Sequence, residues 1–230
     1  MKKSPNNFQR RIFPAVFNVV VILVFYSCSN GNFLIRNGMS DYHIFVSDQA
    51  GKAEKYAALE LQKYLQEISG CELPVKHSDE PDAKMVYVGF DGAPESLLSG
   101  LNISEFGKEE YIIRTKGEDL LIAGGKPRGT LYGVLGFLSD HLDCRWYTRE
   151  VMKIPRKTTI AFQEIEDRQK PAFEYREAWY KEAYDTQWAV HNRLNPSIVP
   201  VPDSLGGSYI PYPFVHTFYQ LVPPDTFFST

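Results

Sequence analysis

Residues 120–135 read LLIAGGKPRGTLYGVL and contain the clearest folding signal in the sequence. The apolar run at 120–123 is typical of a strand, and Gly124-Gly125-Lys126-Pro127 predicts a tight turn. The turn lacks the G-x-x-x-x-G-K-[ST] order of a phosphate loop, so a structural strand-to-helix turn is the better interpretation. A helix is expected next. Its predicted apolar face consists of Leu131, Val134, Leu135, Leu138 and Leu142.

The segments before this turn supply the other elements of one domain. Periodicity predicts strands at 42–46 and 85–89, a helix at 52–68 that Gly70 ends, and a hairpin of 111–115 with 120–123. Residues 41–163 therefore predict an α/β (α+β) sandwich, in which two main helices pack on a mixed sheet.

The N-terminus has the pattern of an export signal. The basic residues at its start are Lys2, Lys3, Arg10 and Arg11. An apolar run at 12–26 follows, which is short for a spanning helix. Cys28 comes next, after a small residue and before a polar stretch, as at the processing site of a bacterial lipoprotein. We expect residues 1–28 to be a lipoprotein-type signal peptide with Cys28 lipidated, and residues 29–40 to be a linker.

This pattern predicts an exported protein, anchored to the membrane through the lipid on Cys28, in the periplasm or at the cell surface. Two alternatives stay open. One is an uncleaved membrane anchor, and the other is a plain signal peptide with an incidental cysteine.

The composition excludes several classes of protein. A chain that is 43% hydrophobic has enough apolar material for a folded core, and a net charge of -3 gives no support for a nucleic-acid partner. The sequence contains no C-x-x-C and no H-E-x-x-H, so neither a metal site nor a cofactor is predicted. Cys71 and Cys144 could pair in an oxidising compartment or stay separate thiols.

A second unit is expected after a linker at 164–171, which is polar and ends in proline. Aromatic residues and prolines become frequent beyond Pro171, and residues 173–179 predict one strand. A single strand does not make a domain, so we expect the unit at 172–230 to be incomplete. In isolation it is expected to be unsettled, because its apolar face has no partner.

The residue types after Pro171 favour a sugar site. Sugar rings stack on Trp and Tyr faces, while Arg, Asn and His side chains fix the hydroxyl groups. The residues that offer this mixture are Trp179, Tyr180, Trp188, His191, Asn192, Arg193, Asn195 and His216. Core packing would use the aromatic residues equally well, and the sequence leaves both interpretations open.

Acid–base chemistry on sugars needs two carboxyl groups. The candidate sets are Glu109 with Glu110, Glu164 with Glu166 and Asp167, and Glu174 with Glu177. The first two sets are more typical of solvated surface, whereas Glu177 at the end of a predicted strand could contact substrate. No catalytic residue is assigned.

Two segments carry a family resemblance. The first is AEKYAALELQKYL at 53–65 with ISG at 68–70, and the second is IAGG at 122–125 followed by RGTLYGV at 128–134. Together they resemble the N-terminal domain shared by bacterial α-glucuronidases and β-N-acetylhexosaminidases. The likeness is closest to large surface glycoside hydrolase-like proteins that include endo-β-N-acetylglucosaminidases. It implies a zincin-like sandwich without metal that precedes a (β/α)8 barrel.

The resemblance implies that residues 172–230 are the start of a truncated catalytic barrel, with PAFEYR at 171–176 as its first strand. Arg176 matches an arginine that binds sugar in the hexosaminidases, although Glu177 stands where a glycine usually follows. A structural ion pair of Arg176 with Glu174 or Glu177 is the alternative. The expected substrate-binding residues are Arg176, Trp179, Arg193, Asn195 and His216.

The expected function is that of an accessory N-terminal domain and barrel start in an exported glycoside hydrolase that acts on glycans. Its type would be hexosaminidase, endo-β-N-acetylglucosaminidase or α-glucuronidase. The fragment itself is expected to be inactive, because the resemblance places the acid pair beyond residue 230. The alternative is a surface lipoprotein that binds glycan without hydrolysing it.

Overall fold

The computed structural model describes residues 32–77, 84–209 and 218–227. The fold below belongs to the compact unit that begins at Phe33. No helix within the described residues is long and apolar enough to cross a membrane.

The described residues form short strands and helices. In chain order the strands are β1 (Asn32–Ile35), β2 (Tyr42–Phe45), β3 (Val75–Lys76), β4 (Lys84–Val88), β5 (Tyr111–Lys116), β6 (Asp119–Gly124), β7 (Arg145–Trp146), β8 (Met152–Lys153), β9 (Ile160–Phe162) and β10 (Glu166–Gln169). The α-helices are α1 (Lys52–Ser69), α2 (Glu95–Leu98), α3 (Gly129–Gly136), α4 (Thr186–His191), α5 (Phe218–Leu221) and α6 (Pro224–Phe227). Residues Phe137–His141 continue α3 as a π-helical turn, and 3₁₀ turns occur at Ile103–Glu105, Lys181–Tyr184 and Asp203–Leu205.

Six strands form one mixed sheet in the order β10-β5-β6-β4-β2-β3. Strands β3, β2, β4 and β6 run parallel, whereas β5 and β10 are each antiparallel to their neighbour. Two small pairs, β1 with β9 and β7 with β8, lie outside this sheet. The predicted mixed sheet with helices packed on it is therefore confirmed.

Both faces of the central strands are buried, as their continuous apolar runs indicate. In β4, Val86 and Val88 belong to the main core, while Met85 and Tyr87 belong to a smaller cluster on the opposite face. Helices α1 and α3 cover the main core, and the short α2 lies over the smaller cluster. The sheet is thus the middle layer, and its period of two residues sets which side chain meets which cluster.

Helix α1 forms where the sequence predicts it, because its ends are capped and one face is apolar. The Glu54 carboxylate accepts the backbone N–H of Gly51 at 2.9 Å, and Gly70 ends the helix in the left-handed region at φ 76°. The fully buried residues of its inner face are Ala57, Ala58, Leu61 and Leu65.

The glycine turn between β6 and α3 brings backbones into direct contact. A Cβ atom on Gly129 would lie 2.4 Å from the carbonyl oxygen of Glu110, and one on Gly124 would lie 2.4 Å from the carbonyl carbon of Gly129. The Gly125 N–H also donates to the Glu110 carbonyl at 2.9 Å. The predicted tight strand-to-helix turn is confirmed, since only glycine allows this approach.

Two segments predicted as linkers belong to the fold instead. Within 29–40, strand β1 pairs with β9 and completely buries Leu34 and Ile35. Within 164–171, strand β10 pairs with β5 at the edge of the main sheet. Its polar sequence EDRQ lacks the apolar alternation that identifies a half-buried strand, which is why the pattern indicated a linker.

The unit after Pro171 differs from expectation in two respects. Residues 173–179, predicted as a strand, are irregular. Between residues 183 and 205, by contrast, apolar side chains pack into the core under α1 and α3. The buried apolar side chains of this segment include Ala183, Trp188, Ala189, Val190, Val201 and Leu205.

We expect Gly129→Ala to destabilise the protein by about 1–3 kcal/mol, because the new methyl group would press on a fixed backbone oxygen. Gly133→Ala in the same helix is the matched control. There the nearest atom is the Ile122 methyl at 3.1 Å, which can shift, and the gain in helix propensity offsets part of the crowding. Urea unfolding measures both variants, and equal midpoints would contradict the backbone contact.

Candidate functional site

We call the part of the chain before Pro171, which is built on the six-stranded sheet, the sheet domain. The carboxylate of Glu109 joins this sheet domain to the segment after Pro171. Its Oε1 lies 2.7 Å from Arg128 Nη2, and its Oε2 lies 2.5 Å from Arg176 Nη2. Asn195 Nδ2 donates to Oε1 at 3.1 Å. Both the Glu109 and the Arg128 side chains are buried, so the pair is shielded from solvent.

Local structure places each member of this cluster. Glu109 belongs to the turn before β5, in which the Glu110 N–H donates to the Gly107 carbonyl at 3.0 Å. Arg128 directly precedes helix α3, and its N–H donates to the Lys108 carbonyl at 3.2 Å. The glycine turn therefore sets the distance between the Glu109 carboxylate and the Arg128 guanidinium.

Two hydrogen bonds join Asn195 to the backbone of Arg176. The Asn195 N–H donates to the Arg176 carbonyl at 3.0 Å, and the Arg176 N–H donates to the Asn195 side-chain oxygen at 2.6 Å. Asn195 is completely buried. Its amide thus fixes the irregular segment around Arg176, which has no strand partner to align it.

The Arg176 guanidinium is largely occupied by protein acceptors. Its Nε and Nη2 donate to the Arg193 carbonyl, Nη1 donates to the Phe173 carbonyl, and Nη2 also donates to Glu109. Four of its five N–H groups are used in this way. The ion pair of Arg176 is with Glu109, and not with Glu174 or Glu177, which sequence proximity had suggested.

A cleft of about 290 Å³ opens beside this cluster. Its lining combines two aromatic rings, three carboxylates and three cations: Phe173, Tyr209, Glu109, Glu110, Glu174, Lys108, Arg128 and Lys170, together with Gly107 and Pro171. Burial raises the pKa of Glu110, but the Gly107 N–H and the Arg168 guanidinium outweigh it and hold that pKa below its ordinary value.

A second polar cluster joins α1 to α4. The His191 ring stacks on Trp146 with 4.8 Å between ring centroids, and its Nε2 lies 2.7 Å from Glu60 Oε2. The Trp146 indole N–H donates to the Tyr64 hydroxyl at 2.8 Å. Burial acts to raise the pKa of Glu60, but hydrogen bonding and charge from His191 hold it below its ordinary value.

Trp188 and Arg193, from the predicted sugar-binding mixture, also contact the sheet domain. Trp188 is buried and its indole N–H donates to the Trp146 carbonyl at 3.1 Å. Arg193 donates to the Tyr111 hydroxyl at 2.9 Å and lies 3.1 Å from Asp140. Core packing is thus the better account of Trp188, which the sequence left undecided.

Other candidates lie apart from this interface. Trp179 is 62% exposed, so its ring face is open to solvent. Glu177 accepts the Ser197 and Ile198 N–H groups at 2.9 and 3.1 Å, which braces a loop. Burial raises the pKa of Glu177, but its hydrogen bonds from Tyr175 and these two residues outweigh burial and lower it.

The structure brings Arg176 and Asn195 together and leaves Trp179 apart from them. The substrate-binding roles of Arg176, Trp179, Arg193 and Asn195 stay predictions. His216 and the lipidation site Cys28 lie outside the described residues.

Sequence reasoning missed Arg128, Lys108 and Tyr209 as members of a site. Glu109 was noticed only as part of an acidic pair. No local signal identifies these residues, because each meets its neighbours only after the chain has folded.

Cys71 and Cys144 are separate thiols, and burial raises the pKa of Cys144 to about 11. Within the described ranges, no group of three or more His, Cys, Asp or Glu side chains could hold a metal ion.

Two protein families match parts of the chain. Residues 38–137 match the family described as the glycosyl hydrolase family 67 N-terminus. Residues 146–230 match a domain of unknown function, DUF4838. The predicted resemblance to the N-terminal domain of α-glucuronidase-type enzymes is therefore confirmed, and residues 38–137 form a glycoside hydrolase-related domain. No curated protein matches the sequence.

Several solved glycoside hydrolases are similar in structure. A family GH115 4-O-methyl-α-glucuronidase with specificity for decorated arabinogalactans is 18% identical, with a TM-score of 0.45 over 59% of this chain and 18% of that one. The GH20 β-N-acetylhexosaminidase of Streptomyces coelicolor A3(2) is 16% identical, with a TM-score of 0.41 over 72% of this chain and 31% of that one. The chain thus spans less than a third of either protein.

Glu109→Ala is expected to cost about 3–5 kcal/mol of stability, because it leaves the buried Arg128 and the partly exposed Arg176 without their shared carboxylate. Urea unfolding measures the loss, and limited proteolysis should cut more quickly beyond Lys170. Glu174→Ala is the control, because the exposed Glu174 side chain should be within about 0.5 kcal/mol of neutral. Equal stability of the two variants would contradict the role of Glu109 as the tie between the two parts.

The Glu60–His191 contact predicts a loss of stability in acid. The folded-state pKa of Glu60 lies below its ordinary value of 4.5, so its stabilisation is present above that pH and is lost as pH falls through the folded pKa. Glu60→Gln should therefore lower stability by about 1.5–3 kcal/mol at pH 7, and the difference should shrink towards pH 3.

Thermal unfolding between about pH 3 and pH 8 measures this effect. Glu67→Gln, at an exposed position on the same helix, is the control and should follow the wild type. A Glu60→Gln deficit that stays constant with pH would show that the Glu60 carboxylate is not the titrating group.

Proposed function

We propose that the chain is the accessory N-terminal domain and the start of the catalytic barrel of an exported glycoside hydrolase. The enzyme would act on glycans and be of the hexosaminidase, endo-β-N-acetylglucosaminidase or α-glucuronidase type. The match of residues 38–137 to the glycosyl hydrolase family 67 N-terminus carries this proposal. Export as a lipoprotein through Cys28 is part of it and rests on the sequence pattern.

In this proposal the sheet domain holds the first segment of the barrel. The Glu109 cluster and the His191 cluster both tie that segment to the domain. A substrate role for Arg176 would use a guanidinium that already donates to the Arg193 and Phe173 carbonyls and to Glu109. The domain would thus position the chain that leads into the catalytic residues.

We further propose that this fragment alone is inactive. Glycoside hydrolysis needs one carboxyl group that stays protonated, which requires a raised pKa. Burial acts to raise the pKa of Glu60, Glu110 and Glu177, but hydrogen bonds lower each of them, and nearby charges also lower the pKa of Glu60 and Glu110. These groups suit structural anchoring, and none of the three is poised to donate a proton.

The second candidate is a surface lipoprotein that binds glycan without cleaving it. The cleft favours it, because a cavity with aromatic and charged walls is typical of a small-molecule site. The exposed Trp179 ring would add a stacking surface on the outside.

Turnover separates these candidates. We expect the 230-residue chain to release no nitrophenol from aryl β-N-acetylglucosaminides or aryl α-glucuronides above the buffer blank. A longer protein that contains this chain and a complete barrel should cleave one of these substrate classes. Turnover by the short chain would contradict its inactivity. A longer protein that binds glycans and cleaves none would support the second candidate.

A further inference from the structure

We infer that the cleft between the 107–110 turn and residues 170–174 binds one acidic sugar residue, through aromatic stacking and an excess of positive charge. This inference deepens the proposed function, because it names the class of glycan that the domain itself would hold. It concerns the sheet domain and the segment after Pro171, and it does not depend on a complete barrel.

The size of the cleft limits the ligand. Its volume of about 290 Å³ is at the lower end of small-molecule pockets, which hold drug-sized ligands from about 300 Å³ upwards. One sugar ring fits such a volume, whereas an oligosaccharide would have to extend into solvent. The site therefore suits a terminal or branching residue of a glycan.

The aromatic walls provide the stacking surface. Phe173 is 72% exposed although it lines the cleft, so a face of its ring is available to a ligand. Tyr209 is held by stacking on Tyr175, with 5.8 Å between ring centroids and 23° between ring planes. A sugar presents C–H groups to such rings, and a held ring loses little entropy on binding.

The charges select an anionic ligand. Glu109 contacts two guanidinium groups, those of Arg128 and Arg176, and Glu110 contacts that of Arg168. Two of the three lining carboxylates are thus neutralised, which leaves only Glu174. With the amines of the two lining lysines, the cleft and its ion-pair partners have five cations against three carboxylates.

Lys108 and Lys170 are the cations available to the ligand. Both line the cleft and both are exposed, and neither forms an ion pair with a described residue. A lysine ammonium is a compact point charge that pairs with a carboxylate or a sulfate alike. The shared ligand chemistry is therefore an anionic group on a sugar ring, and the probes below separate its two sources.

Titration calorimetry on the full chain tests the preference for acidic sugars. The probes are methyl β-D-glucuronide, N-acetylglucosamine 6-sulfate, and the neutral methyl β-D-glucoside. We expect at least one acidic sugar to bind about tenfold more tightly than the glucoside at low ionic strength. The advantage should fall in about 0.5 M salt, because exposed charges are screened.

Two variants localise the binding. The double substitution Lys108→Glu and Lys170→Glu should abolish the preference for acidic sugars, while Phe173→Ala should weaken every sugar that binds. Both alter exposed side chains, so the melting temperature should change little. The control is Lys157→Glu with Lys181→Glu, which makes the same charge change at exposed positions away from the cleft and should keep the preference.

The outcomes distinguish this inference from the proposed function. Equal binding of acidic and neutral sugars would overturn the charge preference, and no binding of any probe would overturn the site itself. An equal loss of binding in the control would also overturn it, because net charge alone would then explain the effect. None of these results bears on turnover by the longer protein, which tests the proposed hydrolase.

Discussion

The close approach of Gly129 to the Glu110 carbonyl is the constraint on which the rest of the structure depends. It brings the start of α3 against the turn before β5 with no side chain between them. Arg128 then lies beside Glu109, and their buried pair forms at 2.7 Å. That pair provides the carboxylate that Arg176 contacts. The close packing of two backbone segments therefore positions the ion pair that joins the sheet domain to the segment after Pro171.

In the segment after Pro171, polar and aromatic residues could either bind sugar or join two packed parts of the protein, and a sequence does not separate these two purposes. Arg, Asn, His and Trp side chains are what a sugar site uses, and they are also what a polar contact between two packed parts uses. His191 and Asn195 have buried partners on the sheet domain, so here they form the polar contact between the two packed parts. Trp179 and Phe173 face outward and remain accessible to a ligand.

The electrostatic balance explains why the sheet domain suits a supporting role. Hydrogen bonds lower the pKa of Glu60, Glu110 and Glu177 even though burial acts to raise it, and neighbouring cations add to this effect at Glu60 and Glu110. Such carboxylates stay ionised and hold structure in place, whereas a catalytic acid must keep its proton. Because guanidinium groups pair with Glu109 and Glu110, these two carboxylates do not need the lysines that line the adjacent cleft as partners.

The sequence by itself determined the order of the main elements in residues 41–163, the mixed sheet, the ends of α1 and the glycine turn. These features depend on local rules, because apolar periodicity, helix caps and glycine conformation are all decided within a few residues of the chain. Strand β10 escaped prediction because an edge strand with polar side chains has no apolar alternation.

Only the tertiary structure decided the partner of Arg176, since Glu109 lies 67 residues earlier in the chain. It also decided the cleft, whose walls come from four separate segments that no local pattern connects. The physical reason is that a buried charge such as the Glu109 carboxylate needs a partner of opposite charge, because water cannot solvate it. The folded chain decides which cations lie close enough to be that partner.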